Sequence, residues 1–199
     1  MVYLGCDDLV PPVDAGTRSQ NGSRPYLLYV GSRGGYKNFE ALILAFASSS
    51  YLRSDFSVMC FGGGAFIPDE LALFRQLQLS DAHVRQISGN DEMLASMYKN
   101  AAAFVYPSLY EGFGIPPLEA MSLGCPVICG NTSSIPEVVG DAGEYFDPND
   151  TESMRVAIET VLQSTGWSQE LVAKGHARRL LFSWQRCASE TLDVYRSIL

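Results

Sequence analysis

Short apolar runs of β-type residues, separated by helical stretches of about ten residues, predict an α/β domain with a mainly parallel sheet. The runs are apolar throughout rather than alternating, as strands are when helices cover both faces of a sheet. Two of them run straight into glycine, at Gly31 and at Gly62 to Gly64. The expected architecture is a three-layer, Rossmann-like domain over residues 26–199, preceded by a connecting segment over residues 1–25.

Each element follows from local pattern. Val2-Tyr3-Leu4-Gly5 reads as the end of a strand, and Asp7 to Pro25 as a polar loop rich in Gly, Pro, Ser and Asn. Tyr26 to Val30 is a strand, and the helix after it repeats Phe39, Leu42, Ile43 and Phe46 at helical spacing. Phe56 to Phe61 is a second strand, Pro68 to Leu77 a helix and Val84 to Ile87 a weak strand. Asp91 is placed to cap a helix through Leu94, Met97 and Tyr98. Ala103 to Tyr106 is a strand ended by Pro107. Pro116 and Pro117 mark a helix start, and that helix stops at Gly124. Pro126 to Cys129 is a strand, and Ser134-Ile135-Pro136-Glu137 has capping-box spacing. Glu144 to Phe146 is a short strand. Asp150 to Leu162, Ser168 to Arg178 and Trp184 to Ile198 read as helices.

Composition narrows the function classes. Among 199 residues, 14 Lys and Arg face 22 Asp and Glu, a formal net charge of −8. That balance argues against a nucleic-acid binder, which shows a basic face. Only Lys37, Lys99 and Lys174 occur, and Lys37 sits in a glycine-rich loop. The five cysteines, Cys6, Cys60, Cys125, Cys129 and Cys187, are odd in number and contain no C-x-x-C. They read as buried thiols in a reducing compartment rather than a zinc site or a disulfide framework. No basic-then-apolar leader opens the sequence, and no apolar run reaches the ~18 residues a membrane span needs. A cytoplasmic protein without a transmembrane segment is expected, and peripheral membrane contact by a longer protein is compatible with it.

In open parallel sheets ligands bind at the carboxyl ends of the strands. Gly31 to Lys37, Gly62 to Phe66 and Ser108 to Pro117 lie there. The first joins a strand to a helix, with glycines for close approach and Arg33 and Lys37 for charge, which suits a phosphate or diphosphate. It matches neither the G-x-x-x-x-G-K-[ST] nor the G-x-G-x-x-G pattern, and alone it reads equally as a glycine turn with solvated charges. In the third segment Glu111 and Glu119 flank a glycine-proline turn. Glu119 would sit in the first turn of a helix, where the dipole favours a carboxylate anyway. Glu111 lies among aromatics, placed to accept hydrogen bonds from sugar hydroxyls.

These residues resemble a known family. Glu111-x7-Glu119 within E-G-F-G-I-P-P-L-E-A-M looks like the E-x7-E signature of retaining, family 4-type glycosyltransferases of the GT-B fold. Other pieces fall in the family's order: V-G-x-x-x-x-x-K-N from Val30, F-G-G-G from Phe61, D-x-x-L-x-x-x-Y-x-x-A from Asp91, G-C-P-V-I from Gly124, S-S-I-P-E-V-V-G from Ser133 and Y-F-D-P-x-D from Tyr145. The resemblance covers roughly residues 25–165.

It implies the C-terminal, donor-binding half of a GT-B enzyme, with an acceptor-binding domain before residue 1. Glu119 would then bind the donor ribose and Glu111 the transferred sugar. Gly31, Ser32, Phe113, Gly114 and Ile115 would present backbone groups to sugar and diphosphate. Lys37 and Arg33 would neutralise the diphosphate leaving group, and Ile87 and Ser88 would lie near the base. The commoner family loop has arginine directly after the glycine; here Ser32 stands there and Arg33 comes one later. Neither His83 nor His176 lies in a matching motif, and no Asp-x-Asp metal motif is present. The implied donor is a nucleoside diphosphate sugar, GDP-mannose ahead of a UDP-sugar, with no metal or other cofactor. The implied acceptor is a glycan or a lipid-linked glycan. A nucleotide-sugar epimerase, a sugar-phosphate synthase or a non-catalytic nucleotide-sugar-binding module are the alternatives.

Overall fold

The computed structural model describes residues 2–6, 9 and 24–198. Six strands form one wholly parallel sheet: β1 (Tyr26–Val30), β2 (Ser57–Phe61), β3 (Val84–Ile87), β4 (Ala103–Tyr106), β5 (Val127–Gly130) and β6 (Gly143–Phe146). Their order is β3-β2-β1-β4-β5-β6, the doubly wound arrangement whose direction of travel reverses between β1 and β4.

Alternation along β1 explains the layers. Leu27 and Tyr29 enter one core with Phe46, Val58, Val105 and Ile158, while Leu28 enters the other with Phe104, Leu118, Met121 and Val139. Both faces are therefore covered, which is why the strands carry no polar alternation. The helices α1 (Phe39–Ser48), α3 (Pro68–Gln76), α4 (Asp91–Asn100), α5 (Ile115–Ser122) and α6 (Ile135–Val139) occupy the crossovers, with a short α2 (Ser50–Asp55) after α1. The chain closes with α7 (Thr151–Gln163), α8 (Thr165–Arg179) and α9 (Trp184–Ile198). Among the described residues no helix is long and apolar enough to cross a membrane.

Several local expectations change. Residues 2–6 form no strand; Tyr3 instead packs its ring on Phe182 at 5.6 Å and Phe113 at 6.4 Å, so side chains rather than a ladder hold the segment. Asp7 and most of the expected polar loop lie outside the described residues. Asn90, not Asp91, caps α4, its Oδ1 accepting from Met93 N at 3.1 Å. Ser134 precedes α6 but makes no cap, because its hydroxyl points to the carbonyls of Glu111 and Phe113. The unforeseen α2 is only six residues long and buries only Leu52; Ser49 starts it by accepting from Leu52 N at 3.1 Å.

Candidate functional site

Where the strand order reverses, the loops after β1 and β4 face one another. Gly31, at φ 119°, turns the chain out of β1, and its N–H still bonds Phe61 O at 3.0 Å across the sheet. Tyr29 Oη donates to Ser32 O at 2.5 Å and fixes the start of the loop. Asn38, left-handed at φ 55°, precedes α1 and donates through Nδ2 to Pro107 O at 3.1 Å and Pro148 O at 2.8 Å. Leu109 N donates to Tyr36 O at 2.8 Å. These bonds carry Lys37 to the mouth of β4.

There Lys37 Nζ meets Glu111 Oε1 at 2.7 Å, and the two side chains are 17% and 11% exposed. The ammonium also lies 5.2 Å from the Tyr36 ring centre and 5.6 Å from that of Tyr106. Burial and the Glu111 carboxylate hold the Tyr106 phenol firmly protonated. The Glu111 loop is pinned from the far side. Ser133 Oγ and Ser134 Oγ donate to Glu111 O at 2.6 and 2.8 Å, Ser134 Oγ also to Phe113 O at 3.0 Å, and Thr132 Oγ1 to Leu109 O at 3.2 Å.

Gly114, at φ 107°, precedes α5, and Ile115 opens it. The helix N-terminus thus stands beside Glu111 with its amides suited to an anion. Phe113 turns its ring to Phe182, 5.8 Å away, leaving its backbone to the loop. Glu119 falls in the second turn, not the first, because α5 begins at Ile115 and has no acidic residue in its opening turn. Dipole stabilisation of a first-turn carboxylate therefore does not account for it. Its Oε2 instead accepts from the fully buried Tyr98 Oη at 3.0 Å, and burial raises its pKa.

Other candidates stand apart. Ile87 and Ser88 lie at the end of the edge strand β3, with β2 between them and the Lys37 loop. Ile87 O accepts from Gly62 N at 3.0 Å, and Ser88 Oγ accepts from Gln86 Nε2 at 2.7 Å. The Arg33 guanidinium is not a free cation. It is 3% exposed and pairs with Glu70 at 2.7 Å. Sequence reasoning passed over Asn38 and Tyr98 as site residues and read Ser134 as a cap. Asn38, Tyr98, Ser133 and Ser134 all fall inside the quoted motifs; Thr132 carried only its place in a run of hydroxyls as a signal.

Among the described residues no group of three or more His, Cys, Asp or Glu is arranged to hold a metal ion. What the site offers is one lightly held ammonium, a helix N-terminus and two carboxylates on neighbouring elements. Such a set can stabilise a departing diphosphate while accepting hydroxyl hydrogen bonds.

Known proteins are similar to this chain in sequence and fold. The O-antigen chain mannosyltransferase B of Escherichia coli is 38% identical over 173 residues, covering 86% of this chain and 45% of that protein. The MMP alpha-(1->4)-mannosyltransferase of Mycolicibacterium hassiacum is 36% identical over 132 residues, 64% of this chain and 32% of that protein. The chain thus spans less than half the length of these curated relatives. The solved sucrose-phosphate synthase of Thermosynechococcus elongatus superposes with a TM-score of 0.82 at 28% identity, over 99% of this chain and 52% of that one. WaaG, a glycosyltransferase involved in lipopolysaccharide biosynthesis, shares the fold with a TM-score of 0.79 at 20% identity, over 97% and 55% of the two chains. The model of the family described as glycosyl transferases group 1 matches residues 16–178. That match runs through all six strands and both glutamate-bearing elements, so the chain belongs to the glycosyl transferases group 1 family.

Proposed function

We propose that this chain is the donor-binding half of a retaining glycosyltransferase, which moves a hexosyl group from a nucleoside diphosphate sugar to a glycan or lipid-linked acceptor. Residues 26–199 form the donor domain, and residues 1–25 lead to it from an acceptor-binding domain. Mannose is the favoured sugar and GDP-mannose the favoured donor, because the relatives at 36–38% identity are named mannosyltransferases. Free thiols at Cys60, Cys125 and Cys129, all buried, fit a reducing, cytoplasmic setting.

The observation that carries the reading is the Lys37–Glu111 pair at the switch point. Cleavage of the sugar–phosphate bond places negative charge on the nucleoside diphosphate as the sugar becomes oxocarbenium-like. Lys37 leaves Glu111 for the diphosphate, and the amides at the start of α5 add fixed positive dipoles. Glu111 is released to accept hydrogen bonds from the sugar hydroxyls, with the backbone of Phe113, Gly114 and Ile115 beside it. Glu119, oriented by Tyr98, accepts from the ribose. Ser32 and Gly31 line the diphosphate side, and Ile87 and Ser88 border the base.

Titration calorimetry of the chain with GDP-mannose and UDP-glucose tests this. Saturable binding of GDP-mannose, weakened by Glu119→Gln, is the expected result. No binding of either donor would overturn the assignment of the site.

A further inference from the structure

Arg33 lies two residues after the glycine that ends β1, in a loop expected to bind a diphosphate, yet its donors face protein. Nε donates to Glu70 Oε1 at 2.7 Å and Nη2 to Glu70 Oε2 at 3.3 Å. Nη1 donates to Gly62 O at 3.1 Å, and Nη2 to Gly64 O at 3.0 Å and Ala65 O at 2.9 Å. The guanidinium lies 4.7 Å from the Phe66 ring centre and 5.9 Å from that of Phe39. Glu70 is itself fixed, because its Oε2 accepts from Ile67 N at 2.8 Å at the start of α3.

The loop that Arg33 grips opens on three glycines. Gly62, Gly63 and Gly64 are all left-handed, at φ 83°, 70° and 71°, a conformation no ladder imposes. The two loops are in close contact, since a Cβ on Gly63 would fall 2.6 Å from Arg33 Nη1 and 2.8 Å from Gly31 O. On its other side the glycine loop joins the end of β3: Gly62 N donates to Ile87 O at 3.0 Å, and Gln86 Nε2 to Gly62 O at 3.4 Å. Arg33 therefore ties the end of β1 to the loop after β2, and Gly62 joins that loop to the end of β3, where the base is assigned.

We propose that Arg33 is a positioning residue: it fixes the Gly62–Ala65 loop, and through it the nucleotide end of the donor site, while Glu70 rather than a diphosphate balances its charge. This rests on the donor-binding reading. A lysine keeps the charge but lacks the planar fork that reaches three carbonyls and a carboxylate at once, so the role is separable from that of a simple cation.

The test is calorimetry of the 199-residue chain with GDP and with GMP. It uses wild type, Arg33→Lys, Arg33→Gln, Glu70→Gln and Lys37→Ala, each checked for folding by circular dichroism. Arg33→Lys and Arg33→Gln should both weaken binding about tenfold, and by similar factors for GDP and GMP. Lys37→Ala should penalise GDP more than GMP. Glu70→Gln, which leaves the guanidinium in place and serves if the Arg33 variants do not fold, should weaken both ligands. Arg33→Lys with wild-type affinity beside a weak Arg33→Gln would overturn the role, as would losses confined to GDP or tighter GDP binding by Glu70→Gln. If wild type binds neither nucleotide, the donor reading falls and takes this role with it; binding that survives in the Arg33 variants removes the role alone.

Discussion

Arg33 pairs with Glu70 and Lys37 with Glu111, each at 2.7 Å, at the carboxyl end of one sheet. The Arg33 side chain is 3% exposed, and its fork also holds the carbonyls of Gly62, Gly64 and Ala65. The Lys37 side chain is 17% exposed; its ammonium has one carboxylate and the faces of two tyrosines. Moving Arg33 onto a ligand would take a donor from three carbonyls and the cation from a partly buried carboxylate. Moving Lys37 breaks one ion pair and two ring contacts, and an incoming anion replaces the ion pair. Equal ion-pair lengths thus conceal different numbers of partners, and the cation with fewer is the one proposed to serve the ligand.

The comparison breaks most readily on stability. Arg33→Met should destabilise the domain by about 3 kcal/mol, because it leaves Glu70 unpaired in a mostly buried setting. Lys37→Met should cost less, about 1 kcal/mol, because it leaves Glu111 without its cation but strips no backbone carbonyl of a donor. Urea denaturation of both variants measures this, and equal losses would erase the distinction. The binding side is the next largest effect: Lys37→Ala should weaken GDP-mannose by about 30-fold, roughly 2 kcal/mol. Tyr98→Phe, which removes the donor to Glu119, should weaken it by about fivefold and leave Lys37 untouched.

The smallest effect is in pH. Burial raises the Glu119 pKa above the ordinary carboxylate value. Its contribution to stability is therefore fully present below the unfolded-state pKa and is lost as pH rises through the folded-state value. In the proposed donor site the sign reverses, because ribose hydroxyls would bond the charged form. Affinity should fall as pH drops through the raised Glu119 pKa, and Glu119→Gln should flatten that dependence. A pH profile unchanged by the substitution would remove Glu119 from the donor site.

The strands, the glycine loops and the E-x7-E segment were legible because they are local patterns: apolar runs, turn residues and fixed spacing. The pairings were not. Lys37 and Glu111 are 74 residues apart, and only the reversal of strand order between β1 and β4 brings them into contact. Arg33 lies 37 residues before Glu70, and sequence assigned it by proximity to Lys37 rather than by partner. Ser134 had the spacing of a cap, but the Glu111 loop competed for its hydroxyl. Tyr98 was visible as a motif position whose role became evident only with its hydroxyl on Glu119.

The proposed donor diphosphate takes the place of Glu111 as the partner of Lys37. Calorimetric titration of GDP-mannose into wild type and Lys37→Ala tests it most directly, with melting curves as the control. Wild type should bind saturably, and the variant about 30-fold more weakly, with melting curves that show it still folded. Equal affinity in the two proteins would contradict it.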